Sequence, residues 1–155
     1  MTVVADTVKG LRRQVWRTME RYPPDAVEGG PGFDAWDALR LVTQETRASL
    51  VADVVGHPKG SITVAELDYL NPGVGRSAIA EHLRKLVDAG VLEKRELPAG
   101  ERRRDLPYTF YSLTEDGRAL FDRSGIFDRE TWRAQYARVE TTEEIERIES
   151  MDRPG

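Results

Sequence analysis

The chain has 155 residues, 39% apolar and 32% charged, with a net charge of −4. That length suits one domain, or a small domain with helical extensions, and can bury a core without staples. There is no cysteine, which excludes disulfides, thiolate metal sites and a cysteine nucleophile. The two histidines, His57 and His82, leave little for zinc or iron. No run approaches the roughly 18 apolar residues of a membrane span, and the N-terminus lacks the basic-then-apolar order of a signal peptide. A cytoplasmic protein without metal or cofactor is expected.

The acidic total argues against a nucleic-acid partner, but the distribution does not. Residues 1–21 carry +3, residues 22–71 carry −5, residues 72–104 carry +3 and residues 106–155 carry −4. A basic central segment thus lies between acidic flanks, so the total misleads. Arginine supplies 19 of the 23 basic residues, a bias that codon usage explains about as well as a salt-loving host.

In chain order, Val8, Leu11, Val15 and Met19 fall at helical spacing with Trp16 beside them, and Arg12, Arg13 and Arg17 on the other side. This predicts an amphipathic arm over residues 1–22. The proline- and glycine-rich residues 23–35 follow as a linker. Helical periodicity resumes at Trp36 and runs through Leu39, Val42, Thr46, Leu50 and Val54 to the loop Gly56–Gly60. Thr63 and Glu66 have capping-box spacing for a short helix ending at Leu70, before Asn71-Pro72-Gly73. A helix over 75–89 carries Ile79, Leu83, Leu86 and Val87 on one face and stops at Gly90. Residues 91–97 and 108–114 read as strands around a basic tip, a hairpin. Thr114 caps a further helix that ends at Gly125, and the last stretch is helical in two pieces with a break near Thr141-Thr142.

The order from Trp36 to Phe121 is that of a winged helix-turn-helix. The segment RSAIAEHLRKLVDAGVLEKRE resembles the recognition-helix region of ArsR-like, MarR-like and PadR-like transcriptional regulators at His82-Leu83, Leu86 and Ala89-Gly90-Val91-Leu92. YTFYSLTEDGRALFD is similar to the segment that closes the wing in those families, at Tyr111, Leu113, Thr114, Gly117 and Leu120. The two motifs cover about half the chain. The C-terminal WRAQYARVETTEEIERIESMDRP looks similar to tails on winged-helix regulators of salt-loving archaea. The resemblance implies a mainly α fold with a small β-hairpin wing, a DNA-binding domain over 36–124, and a helical tail over 125–155 used in dimerisation. Lack of cysteine argues against the thiolate metal sensing of part of the ArsR family.

On that fold, the exposed side of helix 75–89 presents Arg76, Ser77, Ala80, Glu81, Arg84 and Lys85. Arg76 and Arg84 can fork onto guanine, Ser77 can bond a base edge or a phosphate, and Ala80 lets the backbone approach. Glu81 either accepts from cytosine or keeps the arginines from binding everywhere. The plain alternative is a solvated helix face. Arg102, Arg103 and Arg104 at the tip suit a minor groove or a pair of phosphates, against the alternative of a solubilising turn. Ser61 and Thr63 can donate to a phosphate at the preceding helix start, though capping explains Thr63 nearly as well. His82 reads as packing or a phosphate contact, not a metal ligand. Val8, Leu11, Val15, Trp16, Met19, Trp132 and Tyr136 read as a homodimer core, since paired half-sites need two-fold symmetry. A small-molecule effector between arm and tail is allowed, but no residue cluster marks it.

The leading reading is a sequence-specific double-stranded DNA-binding regulator, a repressor, archaeal by resemblance. The competing reading is a winged-helix module for protein–protein contact, which the acidic tail favours. No nucleophile–base pair or metal spacing points to an enzyme. Near-molar salt shortens the Debye length to roughly 3 Å, so a net-negative DNA binder that relies on direct hydrogen bonds is physically reasonable.

Overall fold

The computed structural model describes residues 32–154 and Arg13. The predicted arm, with Val8, Leu11, Val15, Trp16 and Met19, lies outside the described residues, as does most of the linker. Helix α1 spans Ala35–Leu41 and is capped by Asp34, whose carboxylate accepts from the amides of Trp36 and Asp37. Helix α2 spans Glu45–Gly56. The sequence pattern predicted one continuous helix here, and the structure corrects it. The Gln44 side chain caps α2 by accepting from the Arg47 amide at 2.8 Å, while Arg47 Nε donates to the Leu41 carbonyl at 2.7 Å. One orphaned amide and one orphaned carbonyl at the break are thereby satisfied. The apolar stripe runs through the break because Leu39, Val42, Leu50 and Val54 all face the same core.

Helix α2 is the central post. Ala48, Leu50, Val51, Ala52, Val54, Val55 and Gly56 are buried, nearly all round the helix, the pattern of an element covered on several sides. A Cβ on Gly56 would stand 2.6 Å from the Trp132 carbonyl oxygen, so glycine is what lets the later helix lie against α2. Strand β1 (Ser61–Ile62) leads into α3 (Val64–Leu70), and α4 (Arg76–Asp88) follows the Asn71–Gly75 turn. The Asn71 side chain pins that turn, with Nδ2 donating to Asp53 and Oδ1 accepting from Ser49.

Strands β2 (Leu92–Glu96) and β3 (Thr109–Leu113) form the antiparallel hairpin, in register Leu92 with Leu113 and Glu96 with Thr109. β1 pairs with β3 on its other edge, giving the order β1-β3-β2. Helix α5 spans Glu115–Ser124 and is capped by Thr114, whose hydroxyl also donates to the Gly90 carbonyl. A Cβ on Gly117 would stand 2.6 Å from the Val91 carbonyl oxygen, which explains a glycine on a buried helix face. Helices α6 (Arg129–Ala137) and α7 (Glu143–Glu149) complete the chain, α6 against α2 and α7 against α3. No helix among the described residues is long and apolar enough to cross a membrane.

Candidate nucleic-acid interface

Helix α4 divides cleanly. Ile79, Leu83 and Leu86 are fully buried, while Arg76, Ser77, Ala80, Glu81, Arg84 and Lys85 are exposed. The exposed charges are held locally. Arg76 Nε donates to Asp68 of α3 at 3.2 Å. Arg84 pairs with Glu81 at 2.5 Å and with Asp88 at 3.7 Å. The Arg84 hydrogen bond and charge hold the Glu81 carboxyl below its ordinary range, and Glu81 in turn raises Arg84. Any acceptor offered to Arg84 must compete with a carboxylate already in place. His82 is half-buried, its Nδ1 3.4 Å from Arg47 Nη1. Burial first, and the Arg47 charge second, lower its pKa. Among the described residues no cluster of three metal-ligating side chains occurs.

The wing tip begins with a 3-10 turn over Ala99–Glu101. Its three arginines are not equivalent. Arg102 turns back: Nε donates to the Leu97 carbonyl at 2.9 Å, one Nη meets Glu96 at 3.2 Å, and the guanidinium lies 4.1 Å from the Tyr108 ring centre. It staples the base of the tip, because one planar cation can satisfy a carbonyl, a carboxylate and an aromatic face together. Arg103 and Arg104 are exposed and form no ion pair among the described residues. Asp105 instead meets Arg147 of α7 at 2.9 Å.

Two phosphate-contact expectations are corrected by burial. Thr63 is fully buried, its hydroxyl donating to Glu66 Oε1 at 3.0 Å and accepting from the Glu66 amide at 3.2 Å. This capping box uses the only proton of the hydroxyl, leaving none to donate to a phosphate. Ser61 is only 8% exposed and belongs to β1 rather than to a helix start. Trp132 and Tyr136 also have an internal role: both pack on the core of their own chain, with the Tyr136 ring edge-on to His57 at 5.3 Å.

Sequence reasoning missed a buried charge cluster behind the wing. His57 and Glu66 are fully buried and meet at 2.6 Å. Arg153 reaches Glu66 at 3.3 Å with its side chain 8% exposed. The Lys59 amide donates to His57 Nδ1 at 3.1 Å, which leaves Nε2 to carry the proton toward Glu66. Burial works against the Glu66 charge, yet the hydrogen bond from His57, the charge of Arg153 and the bond from Thr63 hold its carboxyl below the ordinary range.

The fold and this face define a winged helix-turn-helix protein, a DNA-binding regulator by class. A family described as "Helix-turn-helix domain" matches residues 42–95, from the end of α1 into β2. The chain is similar to a solved structure from Halomicrobium mukohataei, described as a protein with a GntR superfamily winged-helix-turn-helix domain. The two are 32% identical with a TM-score of 0.70, over 79% of this chain and 86% of that one. The chain belongs to that winged helix-turn-helix family of the GntR superfamily. No curated protein matches it.

Proposed function

We propose that the protein is a sequence-specific regulator of transcription that binds double-stranded DNA as a homodimer and represses by occupying its site. Helix α4 reads the major groove through Arg76, Ser77, Ala80, Glu81, Arg84 and Lys85, and the wing meets phosphates or the minor groove through Arg103 and Arg104. The observation that carries this reading is the two-faced α4: an apolar side locked into the core and a polar, arginine-bearing side left open beside a wing with two exposed arginines. That is the arrangement groove entry requires. Arg102 supports the wing rather than the DNA. With Trp132 and Tyr136 committed internally, dimerisation falls to the arm residues Val8, Leu11, Val15, Trp16 and Met19, and Val15→Glu shifts the sedimenting species toward monomer.

The test is binding of purified protein to genomic fragments spanning its own promoter, across a salt series, beside the Arg103→Ala/Arg104→Ala variant. Tight binding to a discrete fragment, weakened in the variant, is expected. Equal indifference to every fragment at all salt concentrations sinks the reading and favours a protein partner, in keeping with the acidic residues 106–155.

A further inference from the structure

The C-terminal residues 143–154 touch the winged-helix unit through three residues, Arg147, Met151 and Arg153. At the far end of the wing, Arg147 Nη2 donates to Asp105 Oδ2 at 2.9 Å. Beneath the wing, the Arg153 guanidinium lies 4.9 Å from the ring centre of Phe110, a buried residue of β3. The same guanidinium reaches Glu66 of α3 at 3.3 Å, and Lys59 Nζ, in the loop before β1, donates to the Met151 carbonyl at 2.7 Å. Arg153 is also tied to its own segment, donating to the carbonyls of Ile148 and Glu149 at 3.0 and 3.1 Å. These bonds cap the end of α7 with a cation, where helix carbonyls are short of partners. Ile145 and Ile148 bury the inner face of α7.

β1 pairs with the hairpin only at Ser61 and Ile62, opposite Ser112 and Tyr111. The twelve residues 97–108, stapled at their base by Arg102, therefore lie beyond the three-stranded part of the sheet, and their orientation depends on what else they touch. We infer that residues 143–154 are a brace that sets the wing relative to α3 and α4, with Arg153 and Arg147 as positioning residues for the DNA contacts of Arg103 and Arg104. Arg153 is the inner anchor, because a buried cation bonded to Glu66 and lying on Phe110 couples α3 to β3. Arg147 is the outer one, at the tip. The inference rests on the DNA-binding reading above for its consequence, but the brace itself acts in the free protein.

Two measurements test it together. Hydrogen exchange of the free protein is followed at the amides of Leu97 and Leu106, which bond to the carbonyls of Tyr108 and Arg103 within the wing. Arg147→Ala and Arg153→Met are both expected to speed exchange there while leaving the α2 amides protected. Arg147 is exposed, so its variant folds even where Arg153→Met loosens the chain. Affinity for the bound promoter fragment is then measured for Arg147→Ala alone and on the Arg103→Ala/Arg104→Ala background. A loss of about threefold, the scale of an exposed ion pair, is expected alone, and none on the wing-deleted background, because a brace acts only through the wing. Unchanged exchange in the wing overturns the inference. So does an equal loss in both backgrounds, which marks Arg147 as a direct phosphate contact. Wild-type protein that binds no fragment, with wing exchange still accelerated by the variants, overturns the DNA reading and leaves the brace standing.

Discussion

Two sets of charges in this molecule use the same residue types to opposite ends. On the open face of α4 and at Arg103 and Arg104 of the wing, arginines sit in water, in exposed pairs or, among the described residues, in none. In the buried cluster, His57, Glu66 and Arg153 lie out of solvent and are bonded to one another. The dielectric decides what each is worth. An exposed pair contributes roughly 0–1 kcal/mol to stability, so the surface charges are free to exchange protein partners for phosphate or bases. A buried charge that loses its partner costs several kcal/mol, so the inner cluster is committed to the fold. The α4 face illustrates an intermediate case: Glu81 holds Arg84 in an exposed pair at 2.5 Å, weak enough to open for another acceptor.

The comparison breaks most visibly inside. Glu66→Ala leaves His57 and Arg153 buried without their carboxylate, and is expected to lower unfolding free energy by about 3–5 kcal/mol, measured by urea denaturation. A loss under about 1 kcal/mol would mean that the cluster is wetter than its burial implies. Next comes the wing. Arg103→Ala/Arg104→Ala is expected to leave the melting temperature unchanged while reducing the slope of log affinity against log salt by about 2. A matching change in melting temperature would contradict the free state of these two side chains.

Glu81→Gln sharpens the comparison on α4. Freed of its carboxylate, Arg84 is expected to bind unrelated duplex a few-fold more tightly, so the ratio of specific to non-specific affinity falls; an unchanged ratio removes Glu81 from discrimination. The smallest effect concerns Asp53. Burial raises its carboxyl to about 7, against the hydrogen bond from Asn71, although part of its surface still meets solvent. A carboxyl whose folded pKa exceeds its unfolded value binds its proton more tightly in the native state. Its contribution to stability is therefore full below pH ~4 and declines as pH rises through about 7. Asp53→Asn should flatten that decline and stabilise the protein modestly at pH 8, as read from melting temperatures across the range.

Much of the fold was legible because it is written in local patterns. The 3.6-residue spacing of Ile79, Leu83 and Leu86 marks the inner face of α4, and the capping of α3 by Thr63 with Glu66 follows from residues three apart. The break between α1 and α2 was not legible, since apolar periodicity continues across Val42 and only the Gln44 and Arg47 bonds reveal it. Strand β1 is two residues long, too short to show alternation, and exists because β3 offers it an edge. The matched family is coarser than the three regulator families that the motifs resemble.

What the sequence determined by itself is the order of elements from α3 onward and which face of α4 is polar, because periodicity and capping act over a few residues. The tertiary structure alone decided that Arg102 supports the wing while Arg103 and Arg104 stay open, and that Thr63 is sealed inside. It also decided that Arg153, 96 residues from His57, closes a buried ion cluster. Such assignments depend on which distant groups share a small volume, and hence a low dielectric, and no local spacing encodes that.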